Sequence, residues 1–144
     1  MMERSIAKEL RSLSNLIMRY LENSSIKKCV DKITGTNGWI IGYIANNSER
    51  DVFQKDLEGE FGITRSTASR VVELMVQKGL IERKSVPEDG RLKKLTLTPK
   101  AIEVFELMEQ DKRMMEAKLT KGFTDEEIQL LNSYIHRMQQ NMKE

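Results

Sequence analysis

Between Thr64 and Lys93 the sequence gathers side chains suited to holding a polyanion. Thr64, Arg65, Ser66, Thr67, Ser69 and Arg70 fall within seven consecutive residues. At helical spacing Arg65, Ser66, Ser69 and Arg70 share one face. Ala68, Val71, Val72 and Met75 recur at i, i+3, i+4 and i+7 on the other. Short hydroxylic side chains let a backbone approach phosphate oxygens closely, and arginine either clamps phosphate or binds a guanine edge through two hydrogen bonds. A merely solvated face would carry more Glu and Lys. Arg91 follows at the edge of the compact polar loop Pro87–Gly90, with Lys93 two residues on. A long cation there can enter a minor groove, whose negative potential attracts it. Taken alone the loop fits an ordinary exposed hairpin equally well.

Charge distribution agrees with this reading. The whole chain of 144 residues carries a net charge of only +2. From Phe61 to Lys100, however, nine Lys or Arg face four Asp or Glu, a net +5. Other chemistries find little support. Cys29 and His136 are the only cysteine and histidine, far apart in sequence, so no metal site, triad or intramolecular disulfide is suggested. The eight glycines are scattered singly and form no phosphate loop. The expectation is a non-enzyme with no cofactor and no metal. No apolar run approaches the roughly 18 residues of a membrane span, and the N-terminus lacks a signal-peptide pattern. No membrane partner and a cytoplasmic location are the default.

These side chains need elements to position them. Residues 4–28 read as one long helix with Ile6, Leu10, Leu13, Ile17 and Leu21 in a stripe. The polar Asn23-Ser24-Ser25 weakens the pattern and Gly35 breaks it. A short apolar helix follows over Gly38–Asn46, then a turn, then a helix over Gln54–Glu60. Gly62 marks a turn, and Thr64 caps a helix that Gly79 ends. Leu80–Val86 and Arg91–Leu97 read as two strands. Thr98-Pro99 opens a helix to about Thr120. Thr124 and Glu127 form a capping box for a last helix to about Met142. The fold class is therefore mainly α with a small β-hairpin wing. A winged helix-turn-helix core is flanked by N- and C-terminal helical regions, a device that places one helix in a DNA groove.

Ile128, Leu131, Ile135, Met138 and Met142 repeat at spacings of three and four, an a/d seam of two heptads. Two terminal helices with apolar stripes pack either within one chain or across a two-fold axis. One recognition helix contacts few base pairs, which favours a homodimer whose paired helices read a palindrome about 34 Å apart. The dimerisation residues would be Ile6, Leu10, Leu13, Ile128, Leu131, Ile135 and Met138.

The chain resembles the MarR family of winged helix-turn-helix regulators over essentially its whole length. The matching segments are Ile63–Arg70, Lys78-Gly79-Leu80-Ile81-Glu82-Arg83, Pro87-Glu88-Asp89-Gly90-Arg91 and Leu95-Thr96-Leu97-Thr98. The resemblance implies a DNA-binding lobe over residues 36–98 and a helical dimerisation region over residues 1–35 and 99–144. Thr64 through Arg70 would meet the major groove, Arg91 the minor groove, and Asp89 would orient a nearby arginine by a salt bridge. It also implies a small aromatic or lipophilic effector bound between dimer helices and DNA-binding lobe, for which Met18, Trp39, Tyr43 and Phe105 are the candidate lining. Each of the four suits a core equally. Cys29 lies beside Lys27, Lys28 and Lys32, cations that favour a thiolate. It sits toward the end of the first helix and not in that helix's N-terminal half, where a redox sensor is expected, and reads as a buried or idle thiol.

Two departures stand out. Phe53 occupies the position where Ser or Thr often caps the helix before the turn. That should cost about 1 kcal/mol unless Asp51 or the packing of Phe53 compensates. Val86-Pro87 replaces an Asp-Pro pair at the wing. The combined reading is a sequence-specific, double-stranded-DNA-binding transcriptional regulator, a repressor in most such chains. The alternative is a winged-helix adaptor that binds a protein partner instead of DNA.

Overall fold

The computed structural model describes residues 4–144, so residues 1–3 of the expected N-terminal helical region lie outside it. Among the described residues there are seven helices and one two-stranded antiparallel sheet. The chain divides into two compact units, Met1–Asp111 and Lys112–Glu144.

The first unit begins with α1 (Ile6–Glu22) and α2 (Ser25–Thr34), where the sequence suggested one helix. The break has a local and a distant cause. Ser24 accepts a hydrogen bond from the Lys27 amide at 3.2 Å, so its hydroxyl caps a new helix. The same hydroxyl donates to Asp111 at 2.7 Å. None of the side chains of α1 is buried; Ile6, Leu10, Leu13, Leu16 and Met18 remain between 42 and 63% exposed.

Next come α3 (Gly38–Asn46), α4 (Gln54–Phe61) and α5 (Arg65–Gln77), then strands β1 (Ile81–Val86) and β2 (Asp89–Leu97). Ile40, Ile41, Ile44, Leu57, Val72, Met75, Leu80, Ile81 and Leu95 form the core, joined by Ala101 and Val104 from α6 (Pro99–Leu119). Apolar side chains sharing one face of α5 thus bury against α3, α4 and the sheet, which fixes the orientation of the opposite face. On α6 an apolar spacing of Ile102, Phe105, Met108, Met115 and Leu119 predicts an inward face; Phe105, Met108 and Met115 are half-buried, but Ile102 and Leu119 are exposed. The fully buried positions are Ala101, Val104 and Asp111, with Ile102 48% exposed.

Gly62 makes the turn between α4 and α5. Its φ of +60° is left-handed, and the Ile63 amide reaches the Glu58 carbonyl at 3.3 Å, closing the helix end. Phe53 offers no side-chain acceptor to α4. Asp56, three residues in, takes the Phe53 amide at 2.8 Å, so half of a capping box survives from the acidic side. The strap before α4 also joins the sheet: Val52 accepts from the Leu95 amide at 2.7 Å, and Phe53 bridges Lys94.

The second unit carries the end of α6 and then α7 (Asp125–Met142). Thr124 accepts from the Glu127 amide at 3.1 Å and Glu127 accepts from the Thr124 amide at 2.9 Å, the capping box the sequence predicts. On α7, Leu131 is 44% exposed, and Ile128, Ile135 and Met138 are half-buried.

Candidate nucleic-acid interface

The outer face of α5 is set by its cap. Thr64 accepts from the Thr67 amide at 3.2 Å and bonds the Thr67 hydroxyl at 2.9 Å, so Thr64 and Thr67 are occupied in starting the helix. Arg65, Ser66, Ser69 and Arg70 then project outward, all exposed, because Ala68, Val71, Val72 and Met75 are buried behind them. Neither Arg65 nor Arg70 forms an ion pair with a described residue. Their guanidinium groups keep all their donors for a ligand.

The wing is built from β1 and β2, paired Ile81 to Leu97 at its root and Val86 to Asp89 at its tip. Ser85 pairs with Lys93 while Val86 pairs with Asp89, so Gly90, Arg91 and Leu92 are extra residues that bulge from β2. Asp89 organises this bulge. Its carboxylate accepts the Arg91 amide at 2.9 Å, and it makes no ion pair with any described arginine side chain. The salt bridge implied by the resemblance is thus replaced by a main-chain contact. Arg91 is exposed and unpaired among the described residues, whereas Lys93 donates to the Ser85 hydroxyl at 2.6 Å.

Between α4, the start of α5 and β2 lies an open cleft of about 620 Å³. Five cations line it, Lys55, Arg65, Arg83, Arg91 and Lys93, against the two acids Asp56 and Glu58. Sequence reasoning singled out only Arg65, Arg91 and Lys93. Lys55 follows the α4 cap and Arg83 faces across from Leu95 on β1. β1 has four exposed residues in a row, Glu82 to Ser85, so no periodicity singles out Arg83, and its placement beside α5 depends on the sheet's packing.

The four candidate effector residues do not converge on one place. Trp39 and Tyr43, four residues apart on one face of α3, meet Phe61 with ring centroids 4.4 and 5.6 Å away, edge to face. The Tyr43 hydroxyl accepts from Arg50 at 2.7 Å. That bond, aided by Asp56, raises the Arg50 pKa above its usual value. Phe105 instead lines a different cleft of about 420 Å³ with Ile44, Leu97 and Ile102. Met18 stands on α1, 52% exposed. Cys29 is an exposed free thiol, where the sequence reading had it buried or idle. No cluster of three or more metal-ligating side chains occurs among the described residues, and none of their helices is long and apolar enough to cross a membrane.

Comparison with known proteins places this geometry among others. Residues 32–92 match the sequence model described as the MarR family. The chain is 33% identical to the transcription regulator MarR from Oenococcus oeni PSU-1, covering 94% of this chain and 99% of that one, with a TM-score of 0.54. It is 27% identical over 130 residues to the HTH-type transcriptional regulator BilQ of Clostridioides difficile (strain CD3), covering 89% and 88% of the two chains. It is 25% identical to the heme sensor protein PefR from Streptococcus agalactiae in complex with heme, covering 97% and 95%, with a TM-score of 0.62.

Proposed function

Since this chain belongs to the MarR family of DNA-binding transcriptional regulators, which are not enzymes, we propose that it acts in the cytoplasm as a homodimeric repressor on a palindromic operator. Residues 36–98 form the reading lobe in this proposal, and residues 1–35 and 99–144 the pairing region. Arg65, Ser66, Ser69 and Arg70 meet the major groove and its phosphates, with Thr64 and Thr67 holding the helix start. Arg91 enters the minor groove from the bulge that Asp89 organises, and Lys93 adds charge beside it.

The observation that carries this reading is the set of unpaired guanidinium groups: Arg65, Arg70 and Arg91 are exposed without an ion-pair partner among the described residues. Exposed apolar side chains on each unit, Ile6, Leu10 and Leu13 on α1 and, separately, Leu131 on α7, support pairing with a second copy, because exposed apolar patches mark interaction sites. The test is binding of a labelled duplex from the promoter region adjacent to the coding sequence. Affinity should fall by roughly 0.9 log unit per log unit of salt for each phosphate neutralised. Salt-insensitive association with a protein, and no duplex binding, would support the adaptor reading instead.

Release by a small aromatic or lipophilic molecule is part of the same proposal. That a relative is a heme sensor supports ligand responsiveness. Trp39 and Tyr43 offer such a molecule an aromatic face on α3, and Met18 and Phe105 are the further candidate contacts. Titrating Trp39 fluorescence with flat aromatic probes tests it; an unchanged signal and undiminished DNA binding would reject the ligand.

A further inference from the structure

Glu73 is the only carboxylate on the outer face of α5, one turn beyond Ser69 and Arg70. A negative charge there opposes the approach of a polyanion unless something compensates it. Its Oε2 accepts from Nη1 of Arg83 on β1 at 2.9 Å, and its Oε1 accepts from Gln77 at 3.4 Å. Both carboxylate oxygens are therefore engaged within the protein, which leaves Glu73 a poor acceptor for a base edge. Arg83 belongs to the cleft between α5 and the wing, beside Arg65 and Arg91. Its side chain is 34% exposed, so it is partly walled in and still open to that cleft.

A guanidinium is planar and carries five donors in a rigid fork. Fixing one edge on a carboxylate fixes where the remaining N–H groups point, at little further cost in side-chain freedom. We infer that Arg83 is a further phosphate-binding cation of this interface, and that Glu73 is its positioning residue. The inference rests on the DNA-binding reading and extends it to a residue pair that joins the recognition helix to the wing. It assigns no base to Glu73.

The test uses the full chain with a fluorescently labelled random-sequence duplex, since a phosphate contact is independent of sequence. Arg83→Gln should lower the salt slope of binding by about 0.9 log unit per log unit. Glu73→Ala should weaken binding by roughly threefold while Arg83 is present, the scale of a surface ion pair. In the Arg83→Gln background Glu73→Ala should instead tighten binding, because the carboxylate is then uncompensated. Melting of the variants should stay close to that of the parent, so a general loss of folding is not the cause. An unchanged salt slope in Arg83→Gln, with the parent binding normally, overturns the inference alone. Equal weakening by Glu73→Ala in both backgrounds also overturns it and assigns Glu73 a direct contact. A parent chain that binds no duplex even at low salt overturns the DNA-binding reading together with this inference.

Discussion

Ser24 donates its hydroxyl to the buried carboxylate of Asp111 at 2.7 Å, joining positions 87 residues apart at the break between α1 and α2. The same oxygen caps α2. Ser24→Ala removes both roles, the cap at about 1 kcal/mol and the partner of a buried charged group at about 1–3 kcal/mol. We predict a combined loss of about 2–4 kcal/mol in urea denaturation. Asp111→Asn, which keeps an acceptor for the hydroxyl, should cost less than half as much. Equal costs for the two variants would show that the hydrogen bond contributes little.

Arg70→Ala should cost about 1–3 kcal/mol of operator binding and alter base preference near its contact, since an exposed arginine on this face can pair with a base edge. Arg91→Ala should weaken binding to many sequences alike. Selection of binding sites from a random duplex pool separates these outcomes. Binding indifferent to both substitutions would sink the groove assignment.

Asp89→Ala leaves the Arg91 amide without its carboxylate acceptor at an exposed tip. Folding stability should change by less than about 0.5 kcal/mol, as for most exposed sites. DNA affinity should nevertheless fall several-fold, because Arg91 loses its fixed place. Calorimetric melting and duplex titration on the same sample measure the two effects. A matching loss in Asp89→Ala and Arg91→Ala would tie them to one structure.

Gly62 has φ +60°, and a Cβ added there meets no heavy atom within 4 Å. Any penalty for Gly62→Ala is therefore backbone strain and not crowding, about 1–2 kcal/mol. Chemical denaturation should show that loss with an unchanged m-value. A neutral result would mean that the turn relaxes freely.

Leu10→Asp and Leu131→Asp each put a charge into an exposed apolar stripe. Sedimentation velocity should show a shift from paired to single chains, with helical content largely kept. A parent chain that sediments as a monomer at micromolar concentration would refute the dimer.

Much of the architecture was legible because local rules and burial agreed. Thr64 and the Thr124–Glu127 box announced two helix starts that the hydrogen bonds bear out. Gly79 marked the end of α5, with φ +72°. The failures were tertiary. The apolar stripe from Ile6 to Leu21 continued smoothly enough to suggest one helix, and nothing near Ser24 reveals a carboxylate at Asp111. The missing cap at Phe53 is answered by Asp56, where the sequence points to Asp51 or the packing of Phe53. For the candidate interface, helical periodicity exposed Arg65 and Arg70 directly. Arg83 and Lys55 enter the same cleft only through packing of β1 and α4 against α5. Among the aromatic candidates, a spacing of four already put Trp39 with Tyr43. Their neighbour Phe61 lay on another helix and was out of reach of any local rule.

The Val52–Leu95 hydrogen bond has a kinetic and entropic consequence. It fastens the segment entering α4 to the inner strand of the hairpin, and the buried Leu57 and Met75 fasten α4 to α5. The helix face and the hairpin root are thereby ordered together when the chain folds. Once one of them touches a duplex, the other is held near its own groove at high effective concentration instead of searching for it. Loosening the strap should therefore show mainly as faster dissociation, even with every DNA-facing side chain intact.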